Sequence, residues 1–193
     1  MSAAGPLTVT TPLTDEAVQA LRVGQRVLLT GTIYTARDAA HERLAKALAA
    51  GEPLPIPLEG QVIYYVGPAP ARPGDIIGPA GPTTAGRVDF FTPALLAKGL
   101  KGMIGKGKRS QAVRDAITAH GAVYFVMVGG AAALISRHIM AVTTVAYAEL
   151  GPEAIARMEV AGLPMVVAND AAGGDLFEEG QAAYQRPLPA GGA

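Results

Sequence analysis

Cationic and hydroxyl side chains occur in three Gly-rich or strand-to-helix turns of this sequence, where backbone N–H groups can also reach a ligand. The first turn carries Arg37, and the second carries Thr83, Thr84 and Arg87. The third turn, residues 102–110, reads GMIGKGKRS and holds three cations. Because cations and unpaired N–H groups both attract negative charge, the sequence predicts that these turns bind an anion.

Each of the first two turns also has a purely structural interpretation. Thr35 and Asp38 have the spacing of a capping box, so Arg37 could be a solvent-facing residue beside an ordinary helix start. A cation at that position is mildly unfavourable unless an anion joins it. In the second turn the threonines could satisfy N–H groups of the turn itself while Arg87 pairs with Asp89. The sequence leaves both interpretations open.

The third turn imitates a phosphate-binding P-loop. Gly102 and Gly107-Lys108 satisfy the pattern G-x-x-x-x-G-K, but Arg109 stands where the pattern needs Ser or Thr to ligate magnesium. The loss of that ligand makes binding of a nucleoside triphosphate a minor alternative. The turn is still expected to attract an anion, since it leads into a predicted helix.

Metal-binding and thiol motifs are missing from the sequence. His41, His120 and His138 are far apart, and no His-x-x-x-His or carboxylate spacing supports a metal site, so each is interpreted as structural. The chain also has no cysteine. It therefore forms no disulfide, uses no thiolate and cannot ligate an iron–sulfur cluster through its own sulfur. We expect no metal to be bound by this chain.

Composition restricts the partners that the chain can have. The 193 residues include 16 Lys and Arg and 16 Asp and Glu, so no global field favours nucleic acid or an anionic membrane, and neither is expected as a partner. Neither a signal peptide nor an apolar run long enough to span a bilayer is visible, which makes a cytoplasmic location the expectation. Any binding of anions must be local.

Alternating strand and helix patterns predict a single α/β domain over residues 1–180, followed by a flexible tail at 181–193. Apolar β-branched runs predict the strands, and amphipathic runs with capping signals predict the helices. The predicted strands are 26–34, 61–66, 102–105, 122–128, 139–147 and 165–168. The predicted helices are 14–22, 38–49, 93–98, 110–120, one from Gly130, and 152–159, with a long Pro- and Gly-rich loop at 67–82.

Four segments, taken in this order, resemble the β subunit of two-subunit class I fumarate hydratases: GTIYTARDAAH, GPTTAGRVDFF, GMIGKGKRS and VGGAAALI. The same region is the C-terminal domain of the single-chain enzymes of that family, which also includes tartrate dehydratase β subunits. The resemblance covers residues 7–176, and four long motifs in register make it specific for this family. The segments RDAAH, TTAGR and GKGKRS resemble the fumarases more closely than the tartrate dehydratases.

The resemblance implies an α/β fold of the swivelling β/β/α type, which closes over a [4Fe–4S] cluster held by three cysteines of an α subunit. It implies that Arg37, Arg87 and Lys106 bind the two carboxylates of malate or fumarate. Thr83 is then the candidate general base, and Thr84 is the fallback. The expected reaction is the reversible hydration of fumarate to (S)-malate, catalysed only together with the cysteine-bearing α subunit.

Other functions are left open by the sequence. The chain could be the β subunit of a tartrate dehydratase or of a methylfumarate (mesaconate) hydratase, since one methylene or hydroxyl group changes pocket energetics by only about 1–3 kcal/mol. It could instead be a stand-alone module that binds anions or nucleotides through residues 102–110, or a non-catalytic assembly subunit. The hydro-lyase subunit accounts for all three cationic turns at once.

Overall fold

A seven-stranded sheet with six helices organises residues 5–185, the part of the chain that the computed structural model describes. The strands are β1 (Leu7–Thr10), β2 (Arg26–Thr35), β3 (Val62–Tyr64), β4 (Gly102–Gly105), β5 (Val123–Val126), β6 (Ile139–Ala146) and β7 (Ile155–Asn169). The helices are α1 (Asp15–Ala20), α2 (Asp38–Ala50), α3 (Thr92–Leu96), α4 (Gln111–His120), α5 (Ala132–Ile135) and α6 (Leu176–Tyr184). Three 3-10 turns cover Ala85–Val88, Ser136–His138 and Ala148–Glu153. The predicted mixed α/β class is confirmed.

The strand pairings close on themselves. Strands β1 to β5 pair in parallel in chain order, and β7 runs antiparallel to β2, β5 and β6. Because β7 pairs with both β2 and β5, the strands β2, β3, β4, β5 and β7 form a hydrogen-bonded ring. The parallel direction of β2 to β5 brings their carboxyl ends to one edge of this ring. That edge is where ligands bind in many parallel sheets.

Two hydrophobic clusters cover the two faces of the central strands. Side chains alternate between the faces, so that Ile104 and Phe125 belong to one cluster and Met103 and Tyr124 to the other. The second cluster joins the strands to the apolar sides of helices α2, α3 and α4. The first includes residues of β2 and β7 together with α1 and α5. The loops at the carboxyl edge therefore rest on strands that are buried on both sides.

Strand β7 takes the place of two predicted elements. The sequence predicted a helix at 152–159 and a separate strand at 165–168, but Ile155–Asn169 form one continuous strand. Along this strand Val160 and Leu163 pair with residues of β2 that lie only two positions apart, so β7 contains one extra residue there. Such a bulge shifts the alternation of buried side chains by one position. Before the bulge, residues 153–159 read EAIARME, which are mostly strong helix formers, and this half was wrongly assigned as a helix. The pairing of residues 155–159 with β2 and β6 makes them a strand.

The other predicted elements are found close to their expected places, and the loop at 67–82 contains neither a helix nor a strand. The predicted tail from residue 181 begins inside helix α6, which ends at Tyr184, and residues 186–193 lie outside the described residues. Flexibility of that tail stays a prediction. The same holds for the swivelling β/β/α type of the fold.

Candidate functional site

The residues that follow the parallel strands β2, β3, β4 and β5 form the candidate site. Arg37 comes two positions after β2, and Gly67 comes three positions after β3. Lys106 directly follows β4, and Gly129 comes three positions after β5. Since these strands are parallel neighbours, their carboxyl ends lie side by side. Two of the three predicted cationic turns are thereby placed at one edge of the sheet.

Arg37 is the residue that precedes the first turn of helix α2, and its side chain is 21% exposed. Its Nη2 lies 3.4 Å from a carboxylate oxygen of Glu153, and its Nε lies 3.9 Å from Asp38. Nη1 packs against Gly67, where an added Cβ would come within 2.6 Å of that nitrogen. A side chain at position 67 would therefore displace the guanidinium group.

The predicted capping box at the start of α2 is wrong. Thr35 is still part of strand β2, and its hydroxyl donates to the carbonyl of Ala154 at 3.2 Å and accepts from the N–H of Ala156 at 2.9 Å. The N–H of Ala39 in the first turn of the helix is instead bound by Glu153, at 3.0 Å. The threonine is thus used to join two strands, and a distant carboxylate caps the helix.

His41 holds the backbone carbonyl of Arg37 through two contacts. The carbonyl of Arg37 accepts from the backbone N–H of His41 at 2.8 Å and lies 2.9 Å from its Nδ1. The imidazole is fully buried and meets the ring of Tyr65 edge-on. Burial disfavours the imidazolium and lowers the pKa of His41 to about 4, so the ring is neutral at pH 7. A neutral ring donates from Nδ1 to this carbonyl.

Thr83 and Thr84 lie beside Lys106. The backbone N–H and the hydroxyl of Thr83 both donate to the carbonyl of Tyr65, at 2.7 and 3.0 Å. The N–H of Lys106 donates to the carbonyl of Thr83 at 3.0 Å, and Thr84 forms an isolated parallel bridge with Lys106. The backbone of Lys106 is therefore paired with the backbone of both threonines. Thr83 is half-buried, whereas Thr84 and Lys106 are exposed.

Lys106 has no ion pair and no side-chain hydrogen bond with any of residues 5–185. Its side chain extends towards Gly129, where an added Cβ would lie 3.7 Å from its Cδ and 3.9 Å from its Nζ. The charge of this lysine is thus available to a ligand at the carboxyl edge.

Arg87 lies on the 3-10 turn Ala85–Val88, which directly follows Thr84, and it is exposed. Its expected pairing with Asp89 is wrong, because Asp89 binds Arg109 Nε at 2.7 Å and the N–H of Ser110 at 2.6 Å. Within the described part of the chain Arg87 takes part in no ion pair. Arg87 is therefore close to Thr83 and Thr84 along the chain.

Arg109 has a structural role. Its guanidinium donates to Asp89, to Thr92 at 2.8 Å and to the hydroxyl of Tyr65 at 3.1 Å, and its side chain is fully buried. The aromatic rings of Tyr65 and Tyr124 lie 5.4 and 4.9 Å from it. A cation with all these contacts is not available to an external anion. One of the three cations of the third turn is therefore removed from the predicted anion site.

The sequence interpretation missed Glu153 and gave His41 only a general structural role. Glu153 follows Ala39 by 114 residues, so no local motif could connect them. His41 follows Arg37 by four residues on a predicted helix, which is the spacing that brings the imidazole to the Arg37 carbonyl. That spacing was a usable signal.

The side chains of the candidate site are of the types that bind anions. Arg37 and Lys106 bring two positive charges to one edge, Arg87 adds a third from the neighbouring turn, and the threonines supply hydroxyl groups. Among residues 5–185 no group of three His, Asp or Glu side chains is placed to hold a metal ion. No helix in that part of the chain is long and apolar enough to cross a bilayer. The arrangement fits a small molecule with two negative groups.

Similarity to known proteins extends over most of the chain. The family model described as the fumarase C-terminus matches residues 3–180. Fumarate hydratase 2 of Leishmania major is 40% identical over 159 residues, which are 81% of this chain and 28% of that protein. The anaerobic class I fumarate hydratase of Escherichia coli strain K12 is 42% identical over 159 residues, 81% of this chain and 29% of that enzyme.

A shorter relative matches along nearly its whole length. A protein of Methanocaldococcus jannaschii, assigned as an L(+)-tartrate dehydratase subunit beta, is 35% identical over 173 residues. The match covers 86% of this chain and 89% of that subunit. The chain thus spans less than a third of the two fumarate hydratases and most of the separate subunit.

Proposed function

This chain belongs to the fumarase C-terminus family, a family of hydro-lyases with class I fumarate hydratases and tartrate dehydratase β subunits among its members, and from that membership we propose a more specific function. The chain is the substrate-binding β subunit of a two-subunit [4Fe–4S] hydro-lyase. The complex hydrates fumarate to (S)-malate reversibly and is active only with a cysteine-bearing α subunit. The two long relatives named as fumarate hydratases support this choice of substrate.

One observation supports the proposal: the turns that carry Arg37 and Lys106 lie at the carboxyl edge of β2 to β5, and Thr83 and Thr84 pair with Lys106 through the backbone. A four-carbon dicarboxylate has two negative groups, and a guanidinium can bind a carboxylate through two parallel hydrogen bonds. Arg37 and Arg87 would each bind a carboxylate in this way, and Lys106 would add a compact positive charge. A site of this kind holds both ends of the substrate.

Thr83 is proposed as the general base, with Thr84 as the fallback. During dehydration a proton leaves the carbon next to one carboxylate of malate, and the accepting oxygen must be close to that carbon. Threonine is a weak base at neutral pH, so its alkoxide must be favoured by nearby positive charge. Lys106 pairs with both threonines through its backbone and has no ion pair among residues 5–185, which supports this assignment.

The iron–sulfur cluster is proposed as a group of the partner. Cluster ligation requires thiolates, and this chain contains no cysteine, so its own residues do not fit a cluster. When bound to the α subunit, the cluster would supply an iron that acts as a Lewis acid. The fumarate hydratase relatives are more than three times as long as the region that they share with this chain. Their additional length is where we place the counterpart of the α subunit.

A tartrate dehydratase is the second candidate. The relative assigned as a tartrate dehydratase subunit matches this chain along 89% of its length, and it favours the two-subunit organisation. A methylfumarate hydratase would need the same carboxylate contacts. By contrast, nucleotide binding at residues 102–110 is disfavoured, since Asp89 already binds both Arg109 and the N–H of Ser110 before helix α4.

The proposal is tested by anaerobic co-expression with the cysteine-bearing chain encoded beside it. After cluster reconstitution, fumarate consumption is followed by its ultraviolet absorbance and compared with the turnover of tartrate and methylfumarate. Hydration of fumarate that requires both chains supports the proposal. Preferred turnover of tartrate or methylfumarate moves the assignment to that substrate, and no dicarboxylate turnover overturns it. The Lys106→Ala complex should lose activity, whereas Lys108→Ala, which changes an exposed lysine near Gln181, should not.

A further inference from the structure

Glu153 is the carboxylate that holds both the start of helix α2 and the side chain of Arg37. One carboxylate oxygen accepts from the N–H of Ala39 at 3.0 Å. The other lies 3.4 Å from Arg37 Nη2. The side chain is 27% exposed, so it is partly withdrawn from water. Two separate positive groups, an N-terminal helix dipole and a guanidinium, therefore share one acidic residue.

Arg37 needs such a partner because of where it stands. It precedes the first turn of a helix, where the helix dipole repels a cation, and it provides no side-chain cap. Its Nε is buried and has no hydrogen-bond partner among residues 5–185. With Gly67 packed against Nη1, the guanidinium keeps few contacts that could fix its orientation. The carboxylate of Glu153, at 3.4 Å, is the nearer of the two carboxylates that pair with it, the other being Asp38 at 3.9 Å.

The turn that carries Glu153 is itself anchored to helix α2. Glu149 of the same 3-10 turn forms an ion pair with Arg43, and the guanidinium of Arg43 lies 4.9 Å from the ring centre of Tyr147. Gly151 allows the sharp bend of the turn, with φ of 58° and ψ of −121°. Both contacts are made by Arg43, which attaches the segment before Glu153 to α2.

We propose that Glu153 is a positioning residue that orients the Arg37 guanidinium for the substrate carboxylate. The inference rests on the proposed function, because it assumes that Arg37 binds a carboxylate of the substrate. Glu153 then acts through Arg37 and touches neither the substrate nor the reacting atoms. A guanidinium held in place loses less freedom when a carboxylate binds, so the effect falls on substrate binding.

Two substitutions at position 153 separate orientation of Arg37 from capping of the helix. Glu153→Ala removes both contacts. Glu153→Gln keeps an oxygen for the Ala39 N–H but turns an amide NH2 towards the guanidinium. In the assembled complex we expect both variants to raise KM for fumarate about tenfold while kcat stays within about threefold. Only the alanine variant should also lower the Tm of the chain.

Glu42→Ala is the matched control, since it removes an exposed carboxylate of helix α2 that pairs with Lys46 and does not contact Arg37 or the turn of Glu153. It should leave KM unchanged. An unchanged KM in Glu153→Gln would overturn the inference. A lowered KM would also overturn it, because Glu153 would then be competing with the substrate for Arg37. In an Arg37→Ala background, Glu153→Gln should add nothing, and a full additional increase in KM would also overturn it.

An NMR measurement on the chain tests the inference without catalysis. The buried Nε–H of Arg37 should exchange slowly with water, and its signal is assigned by its loss in Arg37→Lys. Glu153→Gln should accelerate this exchange at least severalfold, whereas Glu42→Ala should not. If exchange is unaffected, the positioning role fails. If exchange responds but Arg37→Ala leaves KM unchanged, the positioning contact stands and the proposed role of Arg37 in substrate binding fails.

Discussion

The carbonyl of Tyr65 accepts two hydrogen bonds from Thr83, one from its backbone N–H at 2.7 Å and one from its hydroxyl at 3.0 Å. The hydroxyl proton is therefore directed into the protein. The lone pairs of the Thr83 hydroxyl oxygen are left for a donor on the side away from the Tyr65 carbonyl. Tyr65 is in turn held by Arg109 and His41 through its side chain, so the orientation of Thr83 depends on buried residues.

Replacing Thr83 with valine should remove the proposed base and leave the shape of the side chain nearly unchanged. We expect kcat for malate dehydration to fall about 100-fold or more, because general base catalysis contributes about 10²–10⁴ in rate. Steady-state kinetics of the assembled complex measures the change. Thr84→Val should retain activity within a few fold. The reverse pattern would move the role of base to Thr84.

Substitution of Arg87 by alanine should abolish most activity without unfolding the chain. Loss of one charge-assisted contact costs about 1.5–3 kcal/mol, which is roughly a ten- to hundredfold loss in binding or turnover. Stability should be preserved, because Arg87 is exposed and forms no ion pair with residues 5–185. Kinetics and urea denaturation on the same preparation test both parts. Turnover near that of the wild type would count against a carboxylate contact.

Arg109→Met should destabilise the chain strongly. The substitution leaves the carboxylate of Asp89 without its buried partner, and breaking such a pair costs about 3–5 kcal/mol. Urea denaturation of the isolated chain gives the change in the free energy of unfolding. Lys108→Met, in the same turn but exposed, should change that free energy little. A stable Arg109→Met variant would return this arginine to the list of possible anion ligands.

His41 should make stability depend on pH. Its pKa is about 4 in the folded protein against an ordinary 6.5, because burial penalises the cation. Between these values the unfolded chain binds the additional proton, so the stabilising contribution is complete above pH 6.5 and decreases as pH falls towards 4. The loss should reach about 3 kcal/mol. Urea denaturation across this range measures it.

The control for that prediction is a comparison of two histidine variants. His41→Leu should lack this component of the pH dependence, even though its stability at pH 7 is lower. His120→Gln replaces an exposed histidine at the end of α4 and should keep the component. Identical pH profiles of the wild type and His41→Leu would show that another group is responsible.

Much of the fold follows from local patterns in the sequence. Alternation of strands and helices from residue 26 to residue 147 predicted strands β2 to β6, and turns at the ends of β2 and β4 carry Arg37 and Lys106. The parallel pairing, which brings these two turns to one edge, was not predicted from the sequence. The resemblance to class I fumarate hydratases agrees with the family to which the chain belongs.

The errors share one physical cause, since each depends on a contact between residues distant in the chain. The strand formed by residues 155–159 is defined by its pairing with β2 and β6, and the cap of α2 comes from Glu153, 114 residues beyond Ala39. Arg109 was predicted as an anion ligand because its neighbours are Lys and Gly. Its burial follows from Tyr65 just after β3, from Tyr124 of β5 and from Asp89. No local spacing contains that information.

The ring of strands also explains how this domain can occur both as part of a longer polypeptide and as a separate subunit. Every hydrogen-bonded neighbour needed to close the ring β2-β3-β4-β5-β7 comes from this chain itself. A unit closed in this way needs no strand from a neighbouring domain, so it tolerates both fusion to a longer polypeptide and separation from it. The relatives show both arrangements, as 28% of a Leishmania protein and as 89% of an archaeal subunit. Gene fusion and gene splitting can thus redistribute this domain without altering the edge that carries its cations.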